Sequence, residues 1–259
     1  ITDNHSAYAK MLTPVILKGA EAIENPDETV KTAIEQLKGW DYAMDASLVA
    51  PTLFEFIRIE MARQLLGDEL DELYGGPLGR QHDFYIYRLM KEGPDEWVDN
   101  VDTPEKETLD MIIAGSISAA VDTLTARYGE YGEQWQWGKI HTFTLEHSLG
   151  AVKILDRLLG LNSETYAAGG SYHTVEPYSY KENFRVNHGA SERHIFNTAD
   201  WDKSLTVIPT GTSGIPGSPF YLSQTETYVN NGFYSEPFSE AAVEAAKKYE
   251  MVFRPGEGR

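Results

Sequence analysis

Seven histidines and forty acidic side chains are the groups in this sequence best equipped for proton transfer or metal binding. Their spacing limits what they can do. The run HTFTLEH places His141, Glu146 and His147 within seven positions. It is not H-E-x-x-H, and it is not H-x-x-E-H, because position 143 is Phe. On a strand His141 and His147 would share a face about 20 Å apart; on a helix six residues place them off-face. Packed or surface roles are therefore expected for both. His173, His188 and His194 gather further on, but without the pairing pattern of a three-histidine metal site.

The serines and glycines give no complete constellation either. In PTGTSGIPG, Ser213 is followed at once by Gly214, so the G-x-S-x-G elbow spacing fails. In NHGASER, Arg193 stands where the second glycine belongs. Both read as tight turns. No G-x-x-x-x-G-K-[ST] or G-x-G-x-x-G occurs, and the Gly169–Gly170 pair lacks such spacing. Trp40, Asp41 and Asp45 read as a helix terminus with a solvated face rather than a glycosidase dyad. No catalytic residue is assigned in this chain.

The elements that would position these groups are helical first and β-rich later. Apolar stripes run through Asn4–Glu24 (with a kink or break expected at Pro14), Val30–Leu37 ending near Gly39, and Leu48–Leu66. Thr103-Pro104 reads as an N-cap and first helical position for a helix continuing along Leu109, Ile113, Ile117, Val121 and Leu124. Between Leu66 and Pro104, loops including YGGPLG surround one short helix, Phe84–Lys91. Strands are expected at Arg193–Asn197 and Leu205–Ile208, then a helix from Ser239 to Tyr249 and a strand in MVFRP. The fold class is α+β, with a mainly helical lobe over 1–160 and a β-rich segment with a C-terminal helix over 161–259.

Composition supports a folded protein: 41% hydrophobic and 12% aromatic residues over 259 positions. A net charge of −18 repels nucleic acid and anionic lipid, so neither is expected as a partner. The absence of cysteine excludes disulfides, thiolate nucleophiles and Cys-ligated zinc. No apolar run is seen to approach the roughly 18 residues of a membrane span. The sequence opens on Ile1 with no signal-peptide pattern, and is expected to begin after a cut.

Several segments, in order, resemble one family. They are WD at Trp40-Asp41, WQWGKIHTFTLEH (135–147), AAGGSYHTV (167–175), NHGASERHIFN (187–197) and PTGTSGIPGSPFYLSQTETYVNNGFY (209–234). Together they resemble the C-terminal part of the β-subunit of penicillin amidases, which are N-terminal-nucleophile hydrolases. Thr212 departs from the Gln usual in that family, and Glu176 from the Asn that commonly follows the TV pair.

The resemblance implies an incomplete αββα core: a helical lobe flanking the substrate cleft, then the last strands and an outer helix. It implies an amide hydrolase whose nucleophilic serine and oxyanion-binding Asn both precede Ile1. Calcium, if bound, would take ligands upstream as well, leaving no metal or cofactor site here. The expected partners are the α-chain, the N-terminal part of the β-chain, and a small N-acyl amide substrate. A β-lactam side chain and an acyl-homoserine lactone are both open. The implied location is periplasmic or secreted, and antibiotic biosynthesis is an implied setting. By itself the chain would lack hydrolase activity, and Gly211, Gly214 and Gly217 would serve a structural corner between a core strand and the outer helices. The rival reading is a non-enzymatic, acidic α+β binding or interaction module; a histidine-dependent metalloenzyme is a weaker third.

Overall fold

A computed structural model describes residues 2–70, 82–181 and 183–256. The fold is α+β, and the chain packs as two compact units, each made of two stretches. The first comprises Ile1–Thr144 and Glu164–Gly189, the second Leu145–Ser163 and Ala190–Arg259. The division is thus not one cut near residue 160.

In the first unit the helices are α1 (Ala7–Gly19), α2 (Glu28–Lys38), α3 (Ala50–Leu70), α4 (His82–Glu92), α5 (Leu109–Tyr128) and the short α6 (Trp137–Ile140). Ser6 caps α1 by accepting from Ala9 N, and Asp27 caps α2 by accepting from Val30 N. Pro14 does not end α1. It lies on the exposed face, where a missing backbone hydrogen bond is least costly. The central element is α3, whose Leu53, Phe54, Ile57, Ala62 and Leu65 are fully buried, and α5 packs along it.

Helix α5 begins at Leu109, capped by Thr108, rather than at Thr103-Pro104. Thr103 instead turns its hydroxyl onto Glu107 Oε1 at 2.7 Å, within a loop. Among the described residues α5 is also long and apolar enough, by length and composition, to cross a membrane, so the expectation that no run approaches that length is corrected. Its Ile113, Ile117, Ala120, Val121 and Leu124 are core residues of the unit. Gly19, closing α1, approaches α5 so tightly that a Cβ there would stand 2.5 Å from Cβ and Cγ2 of Ile113.

The strands are short. In the first unit β1 (Thr142–Phe143) pairs antiparallel with β2 (Tyr166–Ala167), and β3 (Ser179–Tyr180) with β4 (Val186–His188). The second unit holds α7 (Lys153–Leu159), an antiparallel sheet in the order β5 (Arg193–Ile195), β6 (Leu205–Val207), β7 (Tyr234–Ser235), and helices α8 (Thr225–Val229) and α9 (Glu240–Ala246). Ser239 caps α9 as expected, whereas MVFRP forms no strand and is exposed. The YGGPLG segment, 74–79, lies outside the described residues.

Candidate functional site

The densest polar chemistry lies inside the first unit, on α3. An apolar helix interior is the costliest place to leave a charge unpaired, yet Glu55 is fully buried and Arg58 nearly so. They sit one turn apart, and Arg58 Nε and Nη2 donate to Glu55 Oε2 at 2.8 and 2.7 Å. The Tyr180 hydroxyl on β3 donates to the same Oε2 at 2.6 Å and accepts from Arg58 Nη2 at 3.1 Å. From α4, Asp83 Oδ1 accepts from Arg58 Nη1 at 2.7 Å. The same Nη1 lies 2.6 Å from His82 Nε2; a guanidinium only donates, so that ring nitrogen accepts. His173 Nε2 completes the cluster 3.1 Å from Asp83 Oδ2, with its ring stacked on Tyr8 at 4.5 Å.

The electrostatics follow from this geometry. Burial works against both the Asp83 carboxylate and the Arg58 guanidinium. It is outweighed only by the sum of the neighbours: for Asp83 chiefly the Arg58 charge and the hydrogen bond with His173, and for Arg58 chiefly the Glu55 charge, with Tyr180 and Asp83 behind it. Asp83 is therefore held well below the usual carboxylate range, and Arg58 stays protonated more firmly than usual. Burial and the Glu55 charge push the Tyr180 phenol up, so it serves as a fixed donor. The cluster has no serine or threonine hydroxyl set against a base; its chemistry is that of a buried tie joining α3, α4, β3 and the 171–174 loop.

His141 is a separate buried group. Its Nδ1 lies 2.8 Å from the Phe184 carbonyl, and its ring stacks on Trp137 at 4.5 Å. Burial lowers its pKa to about 4, more than the neighbouring backbone oxygens raise it. His147 lies in the second unit, where its Nδ1 accepts from Leu149 N at 3.1 Å. His173 and the exposed His188 belong to the first unit, His194 to the second. Among the described residues no three His, Asp or Glu side chains converge to hold a metal.

In the second unit Thr206, His194 and Glu236 look at first like a hydroxyl–imidazole–carboxylate relay. Thr206 Oγ1 is 3.4 Å from His194 Nε2, and His194 Nδ1 is 3.1 Å from Glu236 Oε2. Glu192 also approaches Nε2, at 3.4 Å. The two carboxylates, Glu236 foremost, raise the His194 pKa, as expected where an imidazole sits between two acidic side chains.

The remaining candidates are structural. Asp41 Oδ1 accepts from Ala43 N at 3.1 Å, and Asp45 Oδ1 from Ser47 N at 2.8 Å, so both form turns. Gly170 donates to the Met44 carbonyl and accepts from Trp137 Nε1. Ser191 is exposed and Ser213 Oγ accepts from Ile215 N at 3.1 Å. The 209–224 corner is closed from its far end: Gln224 Oε1 accepts from Ile208 N and Thr225 Oγ1 donates to the Pro209 carbonyl. Gly211 is needed because a Cβ would stand 2.1 Å from the Phe220 carbonyl oxygen, and Gly217 because its φ is +82°. Gly214 meets open space, contrary to the expectation that all three serve alike. Glu55, Arg58, His82, Asp83 and Tyr180 were not singled out from sequence; the available signal was a Glu and an Arg three apart inside an apolar helix.

The acyl-homoserine lactone acylase QuiP of Pseudomonas syringae pv. tomato is 27% identical over 240 residues, covering 87% of this chain and 28% of that protein. QuiP of Pseudomonas aeruginosa is 27% identical over 234 residues, covering 80% and 27%. Penicillin acylase 2 proenzyme of a Pseudomonas species is 26% identical over 153 residues, covering 55% and 18%. The chain thus spans under a third of the length of these relatives. A solved structure, thermostable penicillin G acylase from Alcaligenes faecalis, shares the fold with a TM-score of 0.54 at 16% identity, over 99% of this chain and 48% of that one. The sequence model of the penicillin amidase family matches residues 1–245. The chain belongs to the penicillin amidase family.

Proposed function

We propose that this chain is the C-terminal portion of an N-acyl amide hydrolase, built as a scaffold around chemistry supplied by the rest of the same precursor. The observation that carries the reading is the family match over residues 1–245. It is supported by relatives named as acyl-homoserine lactone and penicillin acylases. In the proposed reaction a serine at a processed N-terminus outside this chain attacks the amide carbonyl. Its own α-amine, titrating near 7.7–8.0 in model peptides, takes the hydroxyl proton. The oxyanion is held by backbone N–H groups and an Asn outside the chain. Collapse expels the amine, which receives the proton, and water then releases the acid. Calcium, if bound, is held outside this chain, and the enzyme works in the periplasm or outside the cell, with antibiotic biosynthesis one setting.

The test is expression of the complete gene product and of the 259-residue chain, each assayed for amine release from an N-acyl homoserine lactone and an N-acyl β-lactam. Turnover by the complete protein alone, abolished by replacing its processed serine, supports the reading. Equal turnover by the chain alone, or none by the complete processed protein on any N-acyl amide, overturns it.

A further inference from the structure

Helix α7 is turned inside out. A short surface helix ordinarily hides its apolar stripe and shows its polar side to water. In α7 the one residue that is not exposed is Asp156, while Ile154, Leu155, Leu158 and Leu159 are all exposed, Ile154 at 72% and Leu158 at 73%. Residues spaced by three and four share a helix face, so these four form one continuous patch. Leu149 and Val152, on the turn leading into α7, are exposed too.

The helix is nevertheless firmly held on its polar side. Asp156 Oδ1 accepts from Asn162 N at 2.8 Å and Oδ2 from Asn162 Nδ2 at 3.1 Å. Asn162 Nδ2 also donates to the Gly150 carbonyl, and its Oδ1 accepts from His147 N. Gly160, in the left-handed conformation, ends the helix. A helix anchored through its carboxylate, with four branched aliphatic side chains facing out, is arranged to meet an apolar surface beyond its own unit.

We propose that the α7 face is the seat for another part of the same precursor. The occupant is a mainly apolar surface of the polypeptide that the relatives carry outside the matched stretch. That polypeptide is large: the matched region is 28% of the syringae acylase and 48% of the solved penicillin G acylase chain. The inference rests on the reading of this chain as a portion of a longer acylase.

The chain has no cysteine, so Leu158→Cys adds a single thiol to this stretch. Its maleimide labelling, above the unsubstituted background, is compared in the complete protein and in the 259-residue chain. Lys31→Cys on the exposed face of α2 serves as the control. The expected result is labelling at least about tenfold slower in the complete protein than in the chain, with the control fast in both. Equal rates overturn the proposal. So does slow labelling in the chain by itself: if concentration-dependent it means a second copy covers the face, and if not, the chain covers it itself. Acylase activity is measured on the same preparations. An active complete protein with fast labelling defeats the inference and spares the functional reading, whereas a protected thiol in a complete protein without activity does the reverse.

Discussion

The Tyr180 hydroxyl donates to Glu55 Oε2 at 2.6 Å, joining residues 125 positions apart inside the first unit. Glu55 Oε2 thereby has one partner on its own helix, Arg58, and one from a distant strand, whereas the buried Oε1 accepts no hydrogen bond among the described residues. Tyr180→Phe keeps the ring packing and removes the donor. It is expected to destabilise the unit by about 1–3 kcal/mol, read from denaturant midpoints at unchanged slope.

Arg58 is the more severe position. Arg58→Met leaves Glu55 and Asp83 near one another without their shared cation, and a loss of about 3–5 kcal/mol is expected. Adding Glu55→Gln to it should recover part of the loss. A strictly additive double variant would show that the two groups are not coupled.

His141 sets an acid limit. Its folded pKa of about 4 lies below the unfolded value near 6.5, so the native state resists the proton. The stability tied to the neutral ring is present above pH 6.5 and lost as pH falls from there toward 4. The full effect is about 3 kcal/mol. Hydrogen exchange of the buried first-unit amides should therefore accelerate across that window, and His141→Gln should flatten the dependence there even though its baseline stability falls.

The Gly19–Ile113 contact makes a packing test. Gly19→Ala puts a methyl 2.5 Å from Ile113 and should cost about 1–3 kcal/mol. In an Ile113→Ala background the same change should cost much less, because the branch it collides with is gone. An equal cost in both backgrounds would place the strain elsewhere.

The 209–224 corner separates chemistry from architecture. In the complete protein Ser213→Ala is expected to leave turnover unchanged, since among the described residues Ser213 Oγ accepts from Ile215 N within its own turn. Gly211→Ala should displace the Phe220 carbonyl and lower the melting temperature, whereas Gly214→Ala should be silent. Loss of turnover in a well-folded Ser213→Ala protein would contradict this assignment.

The helices of the first unit were legible because their apolar residues recur with the helical period, and α2 and α3 lie close to where that period places them. Thr103-Pro104 misled, because a plausible cap was already spent on a loop while Thr108 took the role. MVFRP has strand composition but pairs with no strand among the described residues. The buried cluster was not legible. Arg58 meets residues 24, 25 and 122 positions away, and no local pattern encodes such meetings. For His141 a packed or surface role is expected and the ring is indeed buried, but nothing in HTFTLEH says that it lies against Trp137.

The order in which the two units are threaded has a consequence for synthesis on the ribosome. The first unit is finished only when residues 164–189 return to it. At about 5–20 residues per second, the 125 residues separating Glu55 from Tyr180 take on the order of ten seconds to emerge. Through that interval α3 carries a carboxylate whose final tyrosine partner does not yet exist, and any premature burial of the helix would strand it. The nascent lobe therefore has to stay loose until the returning segment arrives, which makes this stretch of translation the time when a holding chaperone would matter most.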